Sequence, residues 1–158
     1  MVVSKSNVLR LVLWDEVATE VAAEFPDVHW DKELVDPMTI RMVQKPHSID
    51  TVVGTLHIDI LSDLAAALAG SIGIAASSNL DPTRGWPSMF EPVHGSAFDI
   101  MGKGVANPIG AVWRAAEMIS WVGEEGAAAG MMKAIESVCE GGLLTVDIGG
   151  QVGYGASY

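Results

Sequence analysis

Apolar residues recur at helical spacing over residues 8 to 24, where Leu9, Leu13, Val17 and Val21 share one face, and Phe25-Pro26-Asp27 closes the segment with a turn. A short strand, Val28 to Trp30, is expected next. Residues 34 to 44 read as a second helix, with Asp36 as N-cap and Pro37 at the first helical position, where a missing N–H costs nothing. Asp50-Thr51-Val52-Val53-Gly54 reads as a buried strand feeding a helix that begins near Asp59. The apolar run from Ile60 to Ser78 is long, but Asp59, Ser62 and Asp63 stand at its start and Gly70 and Gly73 interrupt it. It is therefore read as a buried core helix and a glycine-rich turn, not a membrane span.

From Asn79 to Ala106 the periodicity fades into proline, glycine and aromatic residues, the pattern of a long functional loop. Asn107 as N-cap and Pro108 as first helical residue open a helix to about Val122, with Ile109, Val112, Ala116 and Ile119 on one face and Gly123 just past its end. Residues 124 to 140 form another helix, closed by Gly141-Gly142, and Leu143 to Ile148 is a last strand candidate. Alternating strands and helices predict an α/β layered fold. With no internal repeat and no flexible linker, residues 1–158 are expected to form a single domain.

Composition narrows the partners. The 158 residues are 49% hydrophobic, enough for a substantial core, so disorder is not expected. A formal charge of −11 disfavours nucleic acid and anionic membrane and suits a cation-binding protein, although a solvated acidic surface explains it equally well. The lone Cys139 permits no disulfide within the chain and points to a reducing cytoplasm. Met1-Val2-Val3-Ser4-Lys5 lacks the charged and apolar regions of a signal peptide, which gives an intracellular expectation.

Asp59 and Asp63 stand four apart on a predicted helix, so both carboxylates face one side, within reach of a single hard divalent cation. Spacing alone allows a second reading, in which both simply favour the positive end of the helix dipole. The densest motif is Met89-Phe90-Glu91-Pro92-Val93-His94-Gly95-Ser96-Ala97-Phe98-Asp99-Ile100, followed by Asn107-Pro108-Ile109-Gly110. It resembles the adenosine-binding loop of the metal-dependent β-decarboxylating dehydrogenases, the isopropylmalate, isocitrate and tartrate dehydrogenase family. The resemblance runs from Lys5-Ser6-Asn7 to Thr145-Val146-Asp147-Ile148-Gly149-Gly150 and is nearest the tartrate dehydrogenase branch.

The resemblance implies a set of roles. Asp59 and Asp63, in Asp59-Ile60-Leu61-Ser62-Asp63, match two metal carboxylates of the family, and Asp36, in Val35-Asp36, matches a third that serves the neighbouring subunit's site. The implied ion is Mg²⁺ or Mn²⁺. Lys5 matches the general base that deprotonates a metal-bound 2-hydroxy acid, again in a neighbour's site, a task that requires burial and an adjacent cation to lower its pKa. Glu91, His94, Gly95, Ser96, Ala97, Asp99, Ile100 and Asn107 are implied to hold the adenosine end of the cofactor. Asp99-Ile100 implies NAD over NADP, because the carboxylate accepts from free ribose hydroxyls and repels a 2′-phosphate.

The same resemblance aligns this chain with only the carboxy-terminal half of such an enzyme. The expected fold is a truncated isopropylmalate-dehydrogenase-like layered fold with an incomplete sheet completed by dimerisation, as a homodimer or with a separate chain supplying the missing half. The family's substrate-clamping arginines are not matched, since Arg10, Arg41, Arg84 and Arg114 fall elsewhere. Thr55-Leu56-His57-Ile58 replaces the family's Asn-Leu-Phe-Gly beside the metal aspartate, so Ile58 is expected to crowd the site. His57 is a candidate acid, base or ligand, or a hydrogen-bonded structural residue. Phe98 and Met101 are bulky replacements in the cofactor loop, and Gln151 to Tyr158 replaces the family's last helix. Three functions follow: a hydride-transferring oxidative decarboxylase of a small 2-hydroxy acid completed by a partner, a stand-alone enzyme doing non-redox chemistry without NAD or metal, or an inactive binding module.

Overall fold

The computed structural model describes residues 1–153, so the end of the Gln151 to Tyr158 segment lies outside the described residues. The chain divides into two compact units, Met1–Leu68 and Ala69–Tyr158.

The first unit is built on a parallel sheet of three short strands, β1 (Val2–Ser4), β2 (Lys32–Leu34) and β3 (Val53–Gly54), in the order β2-β1-β3. Val2 pairs with Lys32 on one side and with Val53 on the other. Central β1 is buried along its whole length, as expected of a parallel strand covered on both sides. Helices α1 (Val12–Glu24), α2 (Val35–Gln44) and α3 (Ile58–Ala69) follow the three strands in turn, and Val3, Met38, Met42 and Leu61 form the core between sheet and helices.

Three details of this unit depart from the sequence reading. The second strand is Lys32–Leu34, not Val28 to Trp30, because the Val2 N–H donates to the Asp31 carbonyl at 2.7 Å and sets the ladder four residues later. Asp36 is not the N-cap of α2. The cap position is Leu34, with no side-chain bond, and Asp36 and Pro37 lie inside the first turn. The α1 stripe is bare: Leu9 is 89% and Leu13 67% exposed, while the buried residue of that helix is Asp15, which pairs with Lys32 on β2.

The second unit contains an antiparallel hairpin, β4 (Ala76–Asn79) and β5 (Met89–Pro92), against α4 (Ile109–Trp121), which packs on α5 (Glu125–Glu140). The hairpin lies partly within the stretch read as a loop; β5 is only four residues long and ends on a proline, too short to give a period-two signal. Buried Arg114 of α4 donates to Ser78 of β4 and to Glu117, fastening helix to hairpin. Leu143 to Ile148 is not a strand. Residues Val146–Ile148 make a 3-10 turn ended by Gly149 at φ 85°, and the Gly150 N–H returns to the Thr145 carbonyl at 2.9 Å, leaving only a single bridge to Val152. Among the described residues no helix is long and apolar enough to cross a membrane.

Candidate functional site

The first unit carries the residues of the cation hypothesis. β1 ends at Ser4, which delivers Lys5, and β2 runs into α2, which delivers Asp36; Lys5 Nζ donates to Asp36 Oδ2. That hydrogen bond, with the attraction of the lysine charge and a smaller contribution from nearby His57, holds the Asp36 carboxyl below its ordinary range. Lys5 and Asp36 are therefore a pair.

Asp59 and Asp63 are both exposed on α3, one helical turn apart, and among the described residues neither carboxylate has an ion-pair partner. No group of three His, Cys, Asp or Glu side chains close enough to hold a cation is present among the described residues. One chain thus offers two separate parts, a Lys5–Asp36 pair and an Asp59/Asp63 face, rather than a closed ligand shell.

Ile58 packs against the core, and a Cβ on Gly54 would stand 2.3 Å from its Cγ1. Its bulk is directed onto Gly54 and the unit's interior. Among the described residues His57 Nδ1 is buried without a hydrogen-bond partner. Three of the four arginines are committed elsewhere: Arg41 to Ser48 and Glu33, Arg114 to Ser78 and Glu117, and Arg84 to the Trp121 carbonyl at 2.9 Å, with its guanidinium 4.4 Å from that ring's centre; Arg10 is exposed. No substitute carboxylate clamp arises from them.

The second unit contains an open cleft of about 550 Å³. Six residues of the predicted cofactor loop line it: His94, Gly95, Ser96, Ala97, Ile100 and Asn107. Ala97 has a positive φ of 44°, so the loop bends sharply where it faces the cleft. Glu91 and Asp99 are not on the lining; both are exposed, and Glu91 accepts from Asn79 Nδ2 at 3.4 Å across the hairpin. Phe98 is 78% exposed and also off the lining, so it does not fill the space, whereas Met101 forms part of the wall. No lysine or arginine lines the cleft.

Sequence reasoning missed the floor of this cleft. Asp147 Oδ2 accepts from the Ser71 hydroxyl and from Asn107 Nδ2, the latter at 2.9 Å. Burial raises the Asp147 pKa, but these hydrogen bonds lower it further and the net position is below the ordinary range. Asn107 Oδ1 in turn accepts from the N–H of Ile109, the first residue of α4, at 2.9 Å, although the cap position is Pro108 and not Asn107 as expected. The available signal was the Thr145 to Gly150 stretch, which stood out as a motif without a role.

A fold of this kind, with a glycine-rich cleft and paired helix carboxylates, matches known proteins closely. The family model for isocitrate/isopropylmalate dehydrogenase matches residues 1–157. The chain belongs to that family. It is 62% identical over 152 residues to a probable tartrate dehydrogenase/decarboxylase of Agrobacterium vitis, covering 94% of this chain and 42% of the relative. A D-malate dehydrogenase [decarboxylating] of Escherichia coli (strain K12) is 44% identical over 155 residues, covering 93% of this chain and 43% of that protein. Isocitrate dehydrogenase from Methylococcus capsulatus superposes with a TM-score of 0.87 at 39% identity, over 94% of this chain and 44% of that one. The chain therefore spans about two fifths of the curated relatives it matches, and its mixed α/β fold with small, incomplete sheets is that of the family.

Proposed function

We propose that this chain carries the cation-binding and adenosine-binding side chains of an NAD- and divalent-metal-dependent oxidative decarboxylase acting on a small 2-hydroxy acid. The carrying observation is the cleft, whose wall includes six loop residues that the resemblance assigned to adenosine. A flat purine suits such a wall of glycine, alanine and isoleucine, and the lack of a lysine or arginine on it favours a free ribose over a 2′-phosphate.

On the other unit, Asp59 and Asp63 fit a hard cation because both are exposed and unpaired on one helix face, and oxygen ligands of this type suit Mg²⁺ or Mn²⁺. When bound, the cation would stabilise charge developing on the substrate oxygens and NAD would accept the hydride. Asp36 is the candidate third ligand and Lys5 the candidate proton acceptor, both contributed to a second copy's ion in a homodimer. Within one chain the two are paired, which places both groups together; that pair must open for Asp36 to ligate the ion and for Lys5 to lose its proton. The amino-terminal segment of the family supplies the remaining substrate contacts, and Cys139, a free thiol, accords with a reducing cytoplasm.

Calorimetric titration of the chain with NAD, with and without Mn²⁺, tests this reading. Micromolar NAD binding together with saturable Mn²⁺ binding is the expected result. Silence toward both would overturn it and favour the non-redox enzyme.

A further inference from the structure

We propose that Asp147 is a positioning residue that fixes Asn107, and through it the cleft wall from His94 to Asn107; the ligand part of this inference rests on the adenosine reading above. One carboxylate oxygen holds three segments of chain. Oδ2 accepts from Ser71 Oγ and from Asn107 Nδ2 at 2.9 Å, and it belongs to the 3-10 turn at Val146–Ile148. Ser71 Oγ also accepts from the Gly73 N–H at 2.9 Å, and the Gly73 carbonyl accepts from the Gly110 N–H at 3.0 Å, inside the first turn of α4.

Asn107 is held at both ends. Its Nδ2 is engaged by Asp147 and its Oδ1 by the Ile109 N–H, so the amide can neither flip nor swing, and it serves the cleft as a fixed wall rather than as a free hydrogen-bonding group. Gly73 is part of the same device. A Cβ there would stand 2.8 Å from Asp147 Oδ2, 3.0 Å from Asn107 Cβ and 3.2 Å from Ser71 Oγ, so only glycine lets the carboxylate approach. An acceptor taking two donors on one oxygen is needed at position 147. Carboxylate and carboxamide oxygens can do this, and an alanine cannot.

The test compares the unaltered chain with D147A, D147N and S71A by calorimetric titration with AMP and by ¹⁵N NMR of the Asn107 side-chain amide. D147A is expected to weaken AMP by about tenfold or more, the scale of a lost charge-assisted hydrogen bond. D147N, whose Oδ1 can still accept from both donors, should restore affinity to within about threefold of the unaltered chain. The Asn107 amide resonances should move in D147A and return toward their original position in D147N. If D147A does not fold, S71A carries the comparison, with an expected weakening of about threefold from one neutral hydrogen bond. AMP affinity unchanged in every variant, or an Asn107 amide signal indifferent to D147A, overturns the proposal. Failure of the unaltered chain to bind AMP sinks the adenosine reading instead, and the Asn107 amide signal then decides the positioning role by itself.

Discussion

Replacing Gly110 by alanine reverses the sign that helix propensity gives to the same change elsewhere. Alanine is favoured over glycine by about 1 kcal/mol in a helix interior. Gly130 in α5 is the control: it is exposed, nothing lies within 4 Å of the place its Cβ would take, and G130A should therefore stabilise the second unit by about 0.8 kcal/mol. At Gly110 the added methyl would stand 2.9 Å from the Gly73 carbonyl oxygen, 3.2 Å from that of Ala75 and 3.4 Å from Pro92 Cβ. Two of these are main-chain atoms that cannot rotate away, so α4 or the Gly73 segment must shift, and the 3.0 Å bond from Gly110 N–H to Gly73 O is strained. Overpacking costs roughly 1–3 kcal/mol and the hydrogen bond about 1 kcal/mol more, so after the propensity gain G110A is left less stable by about 1–3 kcal/mol. Urea unfolding followed by far-UV circular dichroism reads both variants, with tryptophan fluorescence checking that one transition is being compared. The midpoint should fall for G110A and rise for G130A. A G110A midpoint at or above that of G130A refutes the close approach of α4 to Gly73.

Met38 is wholly buried in the first unit, and M38A should cost about 2–5 kcal/mol as the cavity left behind collapses only partly, read as a lower urea midpoint. Single substitutions D59N and D63N should each weaken Mn²⁺ binding by about tenfold or more in calorimetry, because losing one of two carboxylates removes half the local negative charge; unchanged affinity would show the ion binds elsewhere. Asp15 gives a pH prediction. Burial raises its pKa, but the paired Lys32 ammonium, with smaller contributions from the Ser6 and Ser4 hydroxyls, outweighs this and holds it below 3.8, the ordinary value. The folded form is thus favoured above the ordinary value, and the gain is lost as pH falls through the depressed one. D15N should be destabilised at pH 7, with a deficit that shrinks as pH is taken well below 3.8; a deficit constant with pH would refute this.

Periodicity carried the helices well, because α2, α3, α4 and α5 each hold their own local signal, and Gly123 at φ 100° ends α4 where the sequence puts a stop. Strands were harder. β1 and β3 are three and two residues long, and which residues pair is decided by partners far along the chain, so Lys32–Leu34 displaced Val28 to Trp30 and the Leu143 to Ile148 candidate kept only a single bridge, Thr145 to Val152. The α1 stripe teaches a different lesson. Its apolar spacing encodes a face suited to burial, yet Leu9 and Leu13 are bare among the described residues, because spacing says which side is apolar and not what covers it.

The candidate site divides along the same line. Asp59 and Asp63 were legible because four residues of helix put them together, with no tertiary fold required. Six of the residues lining the cleft lay in the loop motif that the sequence singled out, while Glu91 and Asp99 of the same motif are off the lining. What holds that loop was not legible: Ser71 and Asp147 are separated by 76 positions, and Asn107 and Asp147 by 40, so no window of sequence contains the contact. The lining itself is mostly glycine, alanine and short aliphatic side chains, which cannot fix their own conformation. Its shape must therefore come from the floor, from a carboxylate that shares one oxygen between a hydroxyl and an amide and from the glycines that let main chain draw close to it. For this cleft, short side chains supply most of the surface, while Asp147 and Ser71, which also line it, decide whether that surface keeps its shape.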